Sequence, residues 1–230
     1  MVEIIPAVIP KNYEDLKNNI ALVRGVASVV QIDLCDGIFV KNTTWPFHGD
    51  DFDLHFKAIL NEQEGMPFWE DVDFELDMMV ENAVDNFDLY TKLGPKRIIF
   101  HVEAVGDLDT FKDFLEGIDM YIRDSIQIGV AINPSTSLEK LYPLTNHIDF
   151  VQCMGSDQLG FHGVELDERV YENIKVLRDK YSDLPIAVDI GVNESTAPRL
   201  VEAGATKLVA GSAIFNTDDI ISKIEWFKNL

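Results

Sequence analysis

The chain has 230 residues, 47% of them hydrophobic, with 40 Asp plus Glu against 19 Lys plus Arg for a formal charge of −21. That apolar share supports a large core and excludes a disordered chain, while the negative field repels nucleic acid and anionic membrane, so neither is expected as a partner. The same field repels a phosphorylated ligand at long range, so any phosphate seat must act locally through backbone N–H groups.

In chain order, a short apolar run over 4–9 precedes an amphipathic helical pattern over 13–24. A strand follows at 29–34, then a weaker helix near 52–61 and a strand at 72–78. Helix 80–93 leads to strand 97–102, and helix 108–121 to strand 126–132. A weak helix near 137–142 separates this from strand 150–154, which is followed by helix 168–181 and strand 186–189. Helix 195–203, strand 207–210 and helix 218–230 complete the chain. Strands alternating with helical patterns argue for repeated βα units on a parallel sheet. Eight units fit a closed (β/α)8 TIM barrel better than an open doubly wound sheet, and no linker divides the chain, so one domain over 1–230 is expected. The segment at about 42–70 is different in style. It carries Trp45, Phe47, Phe52, Phe56, Phe68 and Trp69 among acids and reads as an extended loop with a short helix, serving as lid, subunit contact or packed excursion. A homo-oligomer is compatible with it.

Punctuation supports several boundaries. Gly94-Pro95 ends a helix, Gly204 stops the helix before the last strand, and Asn193 or Ser195 can cap the helix with Pro198 in its first turn. Cys35 and Cys153 lie singly in apolar runs, so free thiols and a reducing compartment are expected. No apolar run approaches the ~20 residues of a membrane span. The start, Met1-Val2-Glu3-Ile4-Ile5-Pro6, shows no secretion signal, and the reading is a cytoplasmic protein.

In such a barrel, reactive groups sit at the C-terminal ends of strands. Side chains alternate along a strand, so Gln31, Asp33 and Cys35 share one face, with Gln31 a layer below Asp33. The apolar set Phe74, Leu76 and Met78 suits packing under helices, which turns Asp77 inward. His101 and Asp189 end their strands by the same logic. Gln31, Asp33, Asp77, His101 and Asp189 are thus expected around one cavity. Asp36 beside Gly37 reads as a turn residue, and a lone inward His101 is more often a satisfied core histidine than a ligand. Three converging carboxylates repel one another, so a cation or bound protons must compensate. Glycines late in the chain mark a phosphate seat: Gly160 and Gly163 after the sixth strand, Gly191 after the seventh, Gly211 and Ser212 after the eighth.

The stretches Ile32-Asp33-Leu34-Cys35-Asp36-Gly37-Ile38-Phe39-Val40, Met79-Val80-Glu81-Asn82, Phe100-His101-Val102-Glu103-Ala104 and Ala131-Ile132-Asn133-Pro134 occur in order. So do Ser195-Thr196-Ala197-Pro198, Val201-Glu202-Ala203-Gly204-Ala205 and Val209-Ala210-Gly211-Ser212-Ala213-Ile214-Phe215. With these motifs the chain resembles the ribulose-phosphate 3-epimerase family nearly end to end. The resemblance implies a ribulose-phosphate-binding (β/α)8 barrel that inverts one carbinol centre of a ketose phosphate. It assigns the acid and base roles, on opposite faces of an enediolate, to Asp33 and Asp189; His101, inward at the end of its strand, is expected among the substrate contacts.

Departures fall where the chemistry is. The family's two metal-binding histidines correspond to Gln31 and Asp77, a serine pair near the N-terminus to Ala7 and Pro10, and a double glycine to Ile190-Gly191. The loop after strand six reads Asp157-Gln158-Leu159-Gly160-Phe161-His162-Gly163. Without imidazoles the set Gln31, Asp33, Asp77 and Asp189 is all oxygen, suiting magnesium or manganese rather than zinc or iron. The expected partner is a small phosphorylated sugar. Two alternatives remain open: a non-catalytic or regulatory phosphosugar-binding barrel, and a related aldol or decarboxylase enzyme. The latter's Asp-x-Lys-x-x-Asp pattern has no lysine in Asp33-Leu34-Cys35-Asp36.

Overall fold

A computed structural model describes residues 2–47, 52–161 and 163–230. Eight parallel strands close into a barrel in the order β1 to β8. They are β1 Glu3–Val8, β2 Val29–Cys35, β3 Asp73–Met79, β4 Arg97–His101, β5 Gln127–Ile132, β6 Phe150–Met154, β7 Ile186–Asp189 and β8 Lys207–Ala210. All eight lie where the apolar runs placed them, and the expected (β/α)8 architecture is the one observed. Alternate residues split cleanly: Val30, Ile32, Leu34, Leu76, Met78, Ile98 and Phe100 pack outward into the shell beneath the helices. Cys35, Met79, Ile99, Ala131, Phe150, Met154 and Ala187 fill the interior.

The helices around the barrel are α1 Tyr13–Val23, α2 Leu54–Leu60, α3 Phe87–Thr91, α4 Leu108–Gly117, α5 Met120–Ser125, α6 Arg169–Lys180, α7 Ala197–Ala203, α8 Ser212–Phe215 and α9 Ile220–Lys228. A 3-10 turn covers Leu138–Lys140. Two expected helices differ. The pattern over 80–93 is helical only in α3, because Asn82 adopts φ 56° and Glu81 N–H is drawn to Asp36 Oδ2 at 2.7 Å. The pattern over 108–121 breaks at Ile118, in extended conformation, and Asp119 caps a new helix by accepting from Tyr121 N–H. Asn193 organises the entry to α7 from outside the helix, its Oδ1 accepting from Ser195 N–H and Thr196 N–H. Gly204 ends α7 at φ 118°, as its position implied. Within this aromatic segment Trp45 and Phe56 are fully buried and meet edge to face at 5.5 Å, while Trp69 is exposed.

The barrel floor is ionic. Arg97 donates to Glu75 at 2.8 Å and to both Glu3 oxygens at 2.8 and 3.0 Å, and Lys207 lies 3.7 Å from Glu3. Above it the Phe150 ring fills the bore, with Lys207 Nζ 4.3 Å from its centroid. Gly129 makes room for that ring, since a Cβ there would overlap it. Gly129→Ala is expected to cost roughly 1–3 kcal/mol, the usual range for overpacking; urea unfolding measures it, and a variant of wild-type stability would contradict this account of the bore.

Candidate active site

The inward faces of β2, β3, β4, β6 and β7 converge at the C-terminal mouth of the barrel. Register sets Asp33 beside Asp77 across β2 and β3, and Asp189 beside Met154 across β6 and β7. One oxygen from each of Asp33, Asp77 and Asp189 lies within 4.8 Å of the other two. Gln31, one layer down, ties the outer pair together: its Nε2 donates to Asp33 Oδ1 at 2.8 Å and to Asp189 Oδ2 at 2.9 Å. Asp189 Oδ1 accepts from Ile190 N–H at 2.6 Å. Asp77 is fixed from the other side, with His101 Nε2 at 2.7 Å from Oδ1 and Gln152 Nε2 donating to Oδ2 at 3.3 Å.

These contacts decide the charge state. Burial, followed by the charges of Asp189 and Asp77, holds Asp33 well above the usual carboxylate range, and the Gln31 bond opposes the shift only in part. Burial and then the Asp77 charge raise Asp189, against the pull of Gln31 and the Ile190 N–H. Burial works against a charge on His101, but the Asp77 charge and hydrogen bond outweigh it and raise the imidazole. The cluster therefore favours bound protons wherever no cation offsets it. Asp33 and Asp189 share one donor and are both raised, so their protonation belongs to the pair rather than to either residue.

A cavity of about 320 Å3 opens above the carboxylates. Asp33 and Asp189 line it together with Gly160, Gly163, Gly191, Gly211 and Ser212, the glycine-rich set singled out in sequence. Met79 and Met154 contribute the apolar side, and Asn193 and Asn216 add polar groups near the glycines. Gln31, Asp77 and His101 sit in the layer beneath and are fully or almost fully buried. His101, expected among the substrate contacts, meets Asp77 in that layer. Its ring also lies 5.5 Å from that of Phe39. His162 lies outside the described residues. Asp36 is a turn residue as expected, its Oδ1 accepting from Ile38 and Phe39 N–H at 2.8 and 3.0 Å.

Sequence reasoning missed Gln152. The signal was present, because Phe150, Gln152 and Met154 alternate inward on β6 by the rule that exposed Asp33 on β2. Glu103 was noted only as part of a motif. Its Oε1 accepts from Asn133 N–H at 2.9 Å, tying the loop after β4 to the end of β5.

The donor set meets what a divalent cation requires. Three carboxylates in reach of one another supply charge; Gln31 turns its Nε2 to Asp33 and Asp189, and its buried Oε1, without a hydrogen-bond partner, would join the set once the amide is turned over. An all-oxygen set of this kind fits a hard ion.

An eight-stranded parallel barrel with an acidic cluster at its C-terminal mouth and a glycine-lined cavity above defines a class of barrel proteins built for small-molecule chemistry. Within that class the chain belongs to the ribulose-phosphate 3-epimerase family, whose profile matches residues 3–215. It is 28% identical over 225 residues to the ribulose-phosphate 3-epimerase of Bacillus subtilis, covering 95% of this chain and 94% of that protein. It is 30% identical over 203 residues to that of Chlamydia muridarum, covering 86% and 80%. Among solved structures, KGPDC from Streptococcus mutans superposes with a TM-score of 0.68 at 12% identity, covering 100% of this chain and 97% of that one. At that identity the likeness is one of fold. Among the described residues, no helix is long and apolar enough to cross a membrane.

Proposed function

We propose that the chain is an epimerase that inverts a carbinol centre of a ketose phosphate, with Asp33 and Asp189 as the proton-transferring pair. The observation that carries this reading is their shared bond to Gln31 Nε2, made from strands three places apart around the barrel. Two carboxyls reaching one cavity from different strands have access to opposite sides of a substrate lying between them. The ionised member removes the proton next to the ketone, giving an enediolate, and the protonated member returns one to the other face. Roles exchange for the reverse direction, so no net proton is gained or lost. Without a cation, burial and neighbouring carboxylates raise both groups and favour a proton held within the pair; a positioned acid and base are most effective when poised near the working pH.

Gln31, Asp33, Asp77 and Asp189 would hold a divalent cation, magnesium or manganese rather than zinc or iron, and when bound it would act as a Lewis acid on the substrate oxygens. His101 and Gln152 orient Asp77 toward the cluster through the bonds described above. At the other end of the cavity, the loops carrying Gly160, Gly163, Gly191, Gly211 and Ser212 would seat the phosphate. Glycines there let backbone N–H groups approach an anion that the acidic chain otherwise repels.

Solvent deuterium exchange into a panel of pentulose and hexulose phosphates tests the reading. Incorporation at the carbon next to the ketone is expected; binding without exchange over the whole panel would favour the non-catalytic barrel. Asp77→Asn is expected to weaken Mn2+ binding at least ~10-fold, in the range seen when metal-site support is lost, with free Mn2+ read by electron paramagnetic resonance. Unchanged affinity would remove Asp77 from the set.

A further inference from the structure

Only one end of the Gln31 amide is occupied. Its Nε2 donates to Asp33 and Asp189, while its buried Oε1 has no hydrogen-bond partner. A buried acceptor left unpaired costs about 1–3 kcal/mol, and the residue beside it on the next strand is in the same condition. Glu75 stands in register with Gln31 across β2 and β3, and both are fully or almost fully buried. Glu75 Oε2 accepts from Arg97 at 2.8 Å, and Oε1 has no partner. Adjacent strands lie about 4.8 Å apart, and residues in register on one face stand side by side. Two side chains of equal length therefore present unpartnered oxygens from neighbouring inward positions.

Two acceptors cannot satisfy each other, but the Gln31 amide carries a donor on its other end. Turned over about its last bond, it directs Oε1 toward the carboxylate cluster and frees Nε2 for Glu75. Without a cation that orientation sets an oxygen against two carboxylates and is disfavoured. With a cation among the carboxylates, the same oxygen is attracted. Gln152 supplies the contrast. Its Oε1 is also unpartnered, yet its neighbours in register are Ala131 and Ala187. Turning that amide over would lose the bond to Asp77 and find no acceptor side chain on either neighbour.

We propose that Glu75 is a positioning residue for the cation site: when the cluster is loaded, Gln31 turns Oε1 to the cation and donates Nε2 to Glu75 Oε1. This rests on the reading of Gln31, Asp33, Asp77 and Asp189 as a divalent-cation site. Unloaded, the amide ties Asp33 to Asp189; loaded, it releases both carboxylates and is held by Glu75. Arg97, bonded to Glu75 and to Glu3, anchors that acceptor from below. The ionic floor thereby supports the mouth of the barrel through one amide.

Two measurements on the full chain test this. In nuclear magnetic resonance spectra with isotopically labelled glutamine, the Gln31 amide protons are identified by their loss in Gln31→Met. They should show Overhauser contacts to Asp33 and Asp189 in chelator, and to the Glu75 side chain in Mg2+. Mn2+ affinity, read by electron paramagnetic resonance, should fall ~10–100-fold in Glu75→Gln. That side chain still accepts from Arg97 but turns a donor toward Gln31. The charge of Glu75 also reaches Asp33 and Asp189 directly, so the same substitution is made in a Gln31→Ala background. There it should change Mn2+ affinity by less than about twofold. Amide contacts unchanged by Mg2+, native affinity in Glu75→Gln, or an equal loss in the Gln31→Ala background would overturn the inference. Mn2+ binding by the native chain would in each case leave the cation site standing. No binding of either ion by the native protein would remove the site and the inference together.

Discussion

Asp189→Asn is expected to lower the rate of solvent exchange by roughly 10²–10⁴-fold, the usual contribution of a positioned acid or base. The same variant should alter how stability depends on pH. Burial first, and then the Asp77 charge, push the Asp189 carboxyl up to about 7, above its ordinary unfolded value. Between that unfolded value and about 7 the folded state binds more protons than the unfolded one, so stability present at low pH is lost as pH rises. Asp33, raised by the same causes, adds to the loss. In chelator, the native protein should therefore become less stable from about pH 4 to about pH 7, and Asp189→Asn should flatten part of that fall. Magnesium or manganese should restore stability at neutral pH by binding only the folded cluster. Thermal melts across this range, with and without chelator, measure all three. A native profile that rises with pH in chelator would contradict the assigned charge state.

Arg97→Met should produce the largest loss of stability. Glu75 is 1% exposed and its carboxylate meets Arg97 at 2.8 Å. Burial already raises the Glu75 carboxyl, against the opposing pull of Arg97. Removing the guanidinium leaves an acid in the bore without its main partner, a change that costs about 3–5 kcal/mol. For a chain of this size that lowers the midpoint by roughly 6–20 °C. Glu3 is better placed to survive, because its side chain is 30% exposed and keeps Lys207 at 3.7 Å. The double variant Glu75→Leu with Arg97→Met should recover most of the loss, since an apolar pair of similar volume replaces a buried ion pair at little cost. Failure of that rescue would show that the floor depends on Arg97 for more than neutralising Glu75.

Much of the architecture was legible because it rests on local periodicity. An inward-facing position on a strand follows from counting by two, and that rule alone turned Gln31, Asp33, Asp77, His101 and Asp189 toward one space. Helix ends were less legible. The run 80–93 has a helical apolar pattern, yet the bond from Glu81 N–H to Asp36, from a turn 45 residues earlier, holds its first part in turns.

By itself, then, the amino-acid sequence determined the barrel, the inward faces and the acidic character of the mouth, all consequences of spacing along single elements. Only the tertiary structure decided which inward side chains meet. Barrel closure brings Gln31 to Asp189 across 158 positions and Gln152 to Asp77 across 75. It gives His101 to Asp77, and it places Ile190 in the left-handed region. Pairings of this kind depend on strand register and on the curvature of a closed sheet, which side-chain alternation along one strand does not encode.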